Sequence, residues 1–270
     1  MCYIKLEEVA FNIVGEAAGL LRDWFYEEKL GEIVGQGAAG DDTRLADQLI
    51  EDYIVSRLKS TGLDLMIITE EKGVIKTNTT PRYIALIDPL DGSLNYVSKV
   101  PVASISLVFY DYREPYIDKA LAGAVSNVFT YEIYSFDHKN VYLNKTIVKP
   151  SYEFFKGLIS VYTEKPYFVE QIRNIVLSNF NTKPKFRTLG SAALESTYAG
   201  LGRIDLFIHN TGKLRNLDVA GGIAIALKLG VHVSDLNGKP IKCRVDSIER
   251  IESIVIGMYG EKIVKALNTG

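Results

Sequence analysis

The sequence predicts a mixed α and β chain in two lobes, an antiparallel-rich α+β lobe over 1–149 and an α/β lobe over 150–270. Three observations predict it. A length of 270 residues suits about two domains at roughly 150 residues each, or one large domain with two lobes. Two helical stretches open the chain and are followed by several short β-like runs. After Pro150 the pattern changes, and strands and helices alternate.

In the first lobe, Val9, Ile13, Ala17, Leu20, Leu21 and Phe25 recur at spacings near three and four, which predicts an amphipathic helix over 6–29. The glycine-rich stretch 31–40 is too flexible for a helix or a core strand. A second helix is predicted over 43–60. Its stripe is Leu45, Leu49, Ile50, Tyr53, Ile54 and Leu58, and Gly62 is its stop. Strands follow over 65–69, 83–87, 104–110, 121–127 and 131–135.

In the second lobe helices are predicted over 167–180, 191–198 and 218–229. Gly200 and Gly202 stop the middle one, and Gly230 stops the last. The run 204–208 reads as a strand, Asn237-Gly238 as a hairpin turn, 253–258 as a strand and 262–267 as a closing helix. There is no repeat and no low-complexity segment.

Composition narrows the function. The 31 Lys and Arg nearly cancel the 33 Asp and Glu, unlike the basic surplus of a nucleic-acid binder. Apolar residues at 47% and charged residues at 24% fit a folded globule. Cys2 and Cys243 make no disulfide framework, and the opening residues carry no long apolar run. The apolar stretch 219–233 is interrupted by Lys228 and is too short to span a bilayer. A cytoplasmic protein is expected, with no membrane or nucleic-acid partner, and the sequons at Asn78 and Asn144 read as chance. His138, His209 and His232 stand far apart, so a histidine zinc site or triad has little to work with. Carboxylates must carry any chemistry.

They cluster at strand ends. In Asp88-Pro89-Leu90-Asp91-Gly92-Ser93, Pro89 is expected to end the preceding strand, with Asp88 at its carboxyl end. Gly92 permits a tight turn, and the Gly92 and Ser93 amides can open a helix that cradles an anion. Two acids beside an anion cradle make sense when cations sit between them. Glu70-Glu71 ends another strand, and Asp218 precedes the small-residue helix start Val219-Ala220-Gly221-Gly222. Alone, each is ordinary: a turn residue, a solvated pair, an N-cap. Together they suit a hard cation with oxygen ligands, Mg²⁺ above all.

Other chemistries fail on spacing. Gly35-x-x-x-x-Gly40 copies the glycines of a P-loop, but Asp41-Asp42 stands where Lys-Ser/Thr belongs. The Asp88 motif lacks the alternating acids of a calcium loop. There is no G-x-S-x-G elbow, and no G-x-G-x-x-G opens a helix after a strand.

These residues resemble the inositol monophosphatase superfamily, Mg²⁺-dependent, lithium-sensitive sugar phosphatases that include fructose-1,6-bisphosphatases and nucleotide 3′-phosphatases. The motif at 88–93 is similar to the family's D-P-I/L-D-G-S/T, and Glu70-Glu71 to its Glu-Glu. Leu217-Asp218-Val219-Ala220-Gly221-Gly222 matches W/L-D-V/I-A-A/G-G, and Thr43 and Asp47 match a T-x-x-x-D pair. The layout is similar to the archaeal type that hydrolyses both fructose 1,6-bisphosphate and inositol monophosphate. The resemblance spans the whole chain and implies a layered αβαβα sandwich of the sugar phosphatase fold.

It also implies roles. Glu70, Asp88, Asp91 and Asp218 would bind metal with the Leu90 carbonyl, and Glu71 would be a further ligand. Ser93 and Glu70 would orient the attacking water, while the Gly92 and Ser93 amides and Asp91 would face the phosphate. Asp47 would fix the Ser93 hydroxyl, and Thr43, one turn away on the same helix face, would tie down the loop 31–42. Two or three Mg²⁺ are implied, with Mn²⁺ as a substitute and Li⁺ as an inhibitor. Four carboxylates and a phosphate of charge about −2 leave room for a third ion arriving with substrate. Hydrolysis by a metal-activated water needs no phosphoenzyme. Archaeal relatives often carry G-A-D-G where this chain has Gly37-Ala38-Ala39-Gly40, so Asp41 or Asp42 must replace that acid or metal binding weakens.

Inositol-type members place an acid seven residues before the metal-binding Asp; here that residue is Thr211. Lys213 and Arg215 precede Asp218 instead, and Arg187 precedes Gly190-Ser191-Ala192, a set of groups suited to a second substrate phosphate. Arg215 pairing with a local carboxylate is the alternative. Asp205 is expected to be a structural turn contact. The expected substrates are fructose 1,6-bisphosphate and inositol 1-phosphate. The alternatives are a 3′-phosphoadenosine nucleotide phosphatase and a catalytically weak sugar-phosphate-binding regulatory homologue. A homodimer or homotetramer is implied by the resemblance alone.

Overall fold

A computed structural model describes residues 5–38, 40, 42–149 and 154–269. Cys2, Ala39, Asp41 and the lobe junction at Pro150 lie outside the described residues. The helices are α1 (Leu6–Asp23), α2 (Leu45–Ser60), α3 (Ser93–Val97), α4 (Pro166–Phe180), α5 (Ala192–Gly200), α6 (Asn216–Lys228) and α7 (Gly260–Thr269).

The larger sheet has eight strands. From one edge they run Thr146–Ile147, Val141–Leu143, Ile133–Phe136, Ala122–Asn127, Ser104–Asp111, Tyr83–Asp91, Leu65–Thr69 and Gly73–Lys76. All neighbours are antiparallel except Leu65–Thr69 beside Tyr83–Asp91, which are parallel. Both faces of its centre are covered, so these strands read as near-continuous apolar runs instead of alternating ones. Leu65, Ile67, Ala85, Ile87, Ile105 and Leu107 pack under α1 and α2. Met66, Ile68, Ile84, Leu86, Val108 and Val125 face α5 and α6 on the other side.

A second sheet follows in the order Lys185–Arg187, Leu158–Thr163, Leu206–Asn210, Ile254–Ile256, Val233–Ser234. Its Phe207, Ile254 and Ile256 close on the α5–α6 layer. Ile159, Val161, Leu206, Ile208 and Val255 face Phe168, Ile172 and Val176 of α4 and Ile263 and Val264 of α7. The layers therefore alternate helix, sheet, helix, sheet, helix, the αβαβα sandwich that the resemblance implies. Small residues let the central helices sit close. A Cβ on Gly221 would fall 2.3 Å from Val125, and one on Gly222 would fall 2.0 Å from Ser196 Oγ of α5. Among the described residues no helix is long and apolar enough to cross a membrane.

Several elements differ from expectation. The first helix stops at Asp23, because the chain turns to bury Phe25 edge-on against Tyr96 and Phe129; a short 3₁₀ turn, Glu28–Gly31, follows. The glycine-rich stretch contains an exposed strand, Ile33–Gln36, paired with Asp42–Arg44. Thr43 thus lies in a strand, and the second helix starts two residues later, with Asp47 as its third residue. Pro89 does not end its strand. The ladder to Ser104–Asp111 runs in register to Asp88, slips, and resumes at Asp91, so the residue without an N–H sits in a bulge. Gly200 is the last residue of α5 and lets that helix approach Ala226 of α6. The turn at Asn237-Gly238 is present, held by Asp235 Oδ1 accepting the amides of Asn237 and Lys239, but it closes no hairpin: the strand before it, Val233–Ser234, pairs with Ile254–Ile256.

Candidate active site

The parallel strands Leu65–Thr69 and Tyr83–Asp91 end side by side, which brings Glu70 and Asp88 to the same end of the sheet. Asp88 shares the parity of Ile84 and Leu86 along its strand, the face turned toward α6. The bulge places Leu90 between Asp88 and Asp91, and Gly92, with φ 87°, turns the chain into α3. Only glycine suits this turn: the conformation is left-handed, and a Cβ would meet the Gly190 carbonyl at 2.9 Å. Ser93 is the first residue of α3, so its amide belongs to the open helix start, as expected.

Asp91 reaches the start of α5. Its Oδ2 accepts hydrogen bonds from Ser104 Oγ at 2.9 Å, from the Ala193 amide at 2.9 Å and from Ser191 Oγ, and its Oδ1 accepts from the Ala192 amide at 3.1 Å. Ser191 and Ala192, expected at the substrate, are here the groups that hold Asp91. Burial raises the Asp91 pKa, and these hydrogen bonds pull it back. The turn that carries Ser191 is itself braced. Glu195, wholly buried on α5, accepts from Ser160 Oγ at 2.6 Å, from the Leu189 amide at 3.1 Å and from the Tyr162 hydroxyl. The Tyr162 oxygen in turn accepts the Gly190 amide at 2.8 Å.

Glu70-Glu71 is held from below by Glu51 of α2. Its Oε2 accepts the Glu71 amide at 2.9 Å and Thr69 Oγ1 at 2.8 Å, while Oε1 accepts the Lys72 amide at 3.0 Å. The glycine-rich hairpin leans on the same turn. The Ala38 amide donates to the Glu71 carbonyl at 3.0 Å, and Thr43 Oγ1 donates to Glu71 Oε2. Thr43 does tie the loop to the acids, but from a strand and through Glu71. Asp47 Oδ2 accepts the Arg44 amide at 3.0 Å, a helix-capping contact and not one to the Ser93 hydroxyl. Burial pushes the Asp47 carboxyl up to about 7, with Glu71 and Glu70 adding to the rise.

Asp218 lies within the first turn of α6 as its third residue, not ahead of it. Its Oδ2 accepts the Arg215 amide at 2.7 Å and its Oδ1 accepts Arg215 Nε at 3.0 Å. The same guanidinium reaches across to Glu70 Oε1. Arg215 thus takes carboxylate partners, the second of the two roles open to it in the sequence. Burial disfavours its charge, but the fields of Asp218, Glu70 and Asp88 outweigh that and raise its pKa.

Asp88 is the exception. It is buried, and its Oδ1 has no hydrogen-bond partner. Its pKa is raised well above the usual carboxylate range, first by burial and then by Asp91, Glu70 and Asp218. A buried carboxylate oxygen without a donor is costly unless something cationic meets it. The donor set around it is oxygen only, which fits a hard divalent ion. Among the described residues no three acidic, histidine or cysteine side chains are drawn together into a finished cage, and Arg215 bridges two of the four acids.

The cations expected for a second phosphate stand farther out. Lys213 pairs with Glu164 at 2.5 Å on the exposed surface. Arg187 is exposed on an edge strand, beside a cleft of about 470 Å³ shared with Thr130, Ser160 and Leu189. Asp205 takes the Lys156 and Leu158 amides at 3.1 and 2.7 Å, the structural contact expected of it. His209 is buried and stacked on Tyr162, and burial lowers its pKa to about 4, so it is a neutral core residue. Glu51 and Glu195 are the acids that the sequence reading missed. The available signal was an acid on a helix face otherwise turned inward: Glu51 stands beside Ile50 and one turn after Asp47.

Comparison with known proteins decides the family. The family model described as the inositol monophosphatase family matches residues 4–265. The chain belongs to the inositol monophosphatase family. That family is generally Mg²⁺-dependent. An inositol-1-monophosphatase of Aeropyrum pernix is 36% identical over 258 residues, covering 94% of this chain and 93% of that protein. A fructose-1,6-bisphosphatase/inositol-1-monophosphatase of Methanocaldococcus jannaschii is 28% identical, covering 93% of this chain and 94% of that one. Among solved structures, an inositol monophosphatase–fructose 1,6-bisphosphatase superposes with a TM-score of 0.82 at 25% identity, over 97% of this chain and 100% of the other.

Proposed function

We propose that this member of the inositol monophosphatase family is a Mg²⁺-dependent phosphatase of sugar and polyol phosphate monoesters, with fructose 1,6-bisphosphate and inositol 1-phosphate as its substrates. The observation that carries the reading is the unpartnered, buried Asp88 Oδ1 within the fields of Glu70, Asp91 and Asp218. In this reading Glu70, Asp88, Asp91, Asp218 and the Leu90 carbonyl hold two or three ions, with Glu71 nearby. Such ions supply charge stabilisation for the entering and leaving oxygens and ease the ionisation of water.

The chain's own groups do the rest. The Gly92 and Ser93 amides, opening α3 after a left-handed turn, hold the ester phosphate. Glu70, at the neighbouring strand end, and the Ser93 hydroxyl orient the attacking water. Ser104, Ser191 and the Ala193 amide, all donating to Oδ2, and the Ala192 amide, donating to Oδ1, keep Asp91 aimed. Thr43 and the Ala38 amide tether the glycine-rich hairpin to Glu71, and Asp47 starts the helix beneath it. Lys213 and Arg187, beyond the acids, are assigned to the second phosphate of a bisphosphate. The lobes 1–149 and 150–270, a homodimer or homotetramer and a cytoplasmic location belong to the same reading.

Phosphate release with Mg²⁺ from fructose 1,6-bisphosphate, inositol 1-phosphate and phosphoadenosine phosphate tests it, with Asp91→Asn as control. Release from the first two supports the proposal. Release from phosphoadenosine phosphate alone makes the protein a nucleotide phosphatase. No release above the control leaves a binding homologue.

A further inference from the structure

Arg215 stands inside the acid cluster. Its side chain is 17% exposed, and those of its partners Glu70 and Asp218 are 17% and 12% exposed. The guanidinium contacts acids from two distant parts of the chain: Nη1 meets Glu70 Oε1, while Nε and Nη2 meet Asp218 Oδ1 at 3.0 and 2.9 Å. The backbone beneath it is fastened. Leu214–Arg215 pairs with Arg250–Ile251, the Asn216 amide donates to the Glu249 carbonyl at 2.9 Å, and Asn216 Nδ2 donates to the Arg244 and Ser247 carbonyls, each at 2.8 Å. Any rearrangement at this point therefore falls to the side chain.

We propose that Arg215 is a built-in counter-cation that bridges Glu70 to Asp218 in the metal-free protein and must release Glu70 for a divalent ion to bind. The inference rests on the metal-site reading above and concerns how that site fills. Without a positive charge, several partly buried carboxylates would repel one another; a planar fork meets two of them at once and holds them in place. The same fork uses oxygen lone pairs that a hard cation would take, and its own charge opposes a second cation at a few ångströms. The two ends of the bridge differ. The Asp218 end is local, three residues along the chain and reinforced by the Arg215 amide donating to Oδ2 at 2.7 Å. The Glu70 end joins separate elements through a side chain at the end of a strand. Ion entry therefore exchanges the Glu70–Arg215 contact for a Glu70–metal contact, and Arg215 remains on Asp218. The bridge stabilises the apo site at the expense of metal affinity.

Arg215→Gln and Arg215→Lys test this together. Lysine keeps the charge but cannot bridge two carboxylates with a planar fork. The readouts are calorimetric titration of Mg²⁺ into the metal-free protein and thermal unfolding with and without Mg²⁺. Both variants are expected to melt below wild type without metal, to bind Mg²⁺ about 5-fold or more tightly, and to gain more in Tm on adding it. Mg²⁺ affinity that is unchanged or weaker in the folded variants, beside normal binding by wild type, overturns the exchange and leaves the phosphatase reading intact. No Mg²⁺ binding by wild type or by either variant overturns both.

Discussion

Glu51, buried on α2, accepts the backbone amide of Glu71 at 2.9 Å and so sets the turn that carries Glu70. It also takes Thr69 Oγ1 and the Lys72 amide, which makes it the single acceptor for three donors at one strand end. Glu51→Ala strands all three. At about 1–3 kcal/mol for the buried Thr69 hydroxyl and less for each of the two partly buried amides, a loss of roughly 2–4 kcal/mol is expected from denaturant unfolding. Glu51→Gln retains one oxygen acceptor and should lose less. In both variants Glu70 is less firmly aimed, so phosphatase activity should fall further than the residual folded fraction explains; activity that tracks only the folded fraction would make Glu51 purely structural.

Much of this arrangement was legible in the sequence. The strand predicted over 65–69 has the bounds the structure gives it, and the motif at 88–93 leads from strand to helix start as expected. What escaped was set by tertiary contacts. Pro89 would end a regular ladder, but a bulge absorbs it here, and nothing local in the sequence distinguishes the two outcomes. Leu158–Thr163 carries no clear strand signal, because Ser160 and Tyr162 interrupt its apolar run, and both serve Glu195. The helix predicted over 43–60 from its apolar stripe includes Thr43, whereas pairing with Ile33–Gln36 holds that residue extended. The bridging role of Arg215 depends on Glu70, which is 145 residues away in the chain.

Asp88→Asn separates stability from function. The wild-type carboxyl is buried with an oxygen lacking a donor, and its pKa is raised by burial and by neighbouring acids. In the metal-free protein at pH 7, removing the charge should stabilise the fold by ~1–3 kcal/mol, and the gain should shrink as the pH falls and vanish below about pH 3, where the carboxyl is protonated in both folded and unfolded chains. With Mg²⁺ the order reverses, because the variant has lost a ligand. Thermal melts at pH 7 and below about pH 3, and at pH 7 with and without Mg²⁺, check the crossing; a variant stabilised by Mg²⁺ as much as wild type would remove Asp88 from the metal site.

Asp47 predicts a pH dependence of the same sign. Its folded pKa is raised from 3.8 to about 7, mainly by burial, so the folded chain holds this proton more tightly than the unfolded one. Its contribution to stability is full below about pH 4 and is lost as the pH rises through about 7, with a slope of at most ~1.4 kcal/mol per pH unit. Metal-free protein should therefore weaken across this window. Asp47→Asn, which keeps an oxygen to accept the Arg44 amide, should flatten the trend. Denaturant midpoints at pH 4, 5.5 and 7 measure it, and parallel curves for the two proteins would refute the assignment to Asp47.

Glu195 links the second sheet to the acids without touching them. It gathers Ser160, Tyr162 and the Leu189 amide, and the turn it braces delivers Ser191 Oγ and the Ala192 amide to Asp91. Glu195→Ala leaves the buried Ser160 hydroxyl and the partly buried Tyr162 hydroxyl and Leu189 amide without that acceptor and opens a cavity, so ~3 kcal/mol or more of stability should be lost. Glu195→Gln keeps the volume and one acceptor oxygen and is the informative variant. If the brace aims Asp91, the folded Gln variant should bind Mg²⁺ several-fold more weakly, because Asp91 then spends part of its time out of position. A KM close to wild type beside that weaker Mg²⁺ binding would place the defect at the metal ligand and not at the phosphate cradle of Gly92 and Ser93. Mg²⁺ affinity equal to wild type, measured on protein shown to be folded, would confine Glu195 to holding α5 against the sheet.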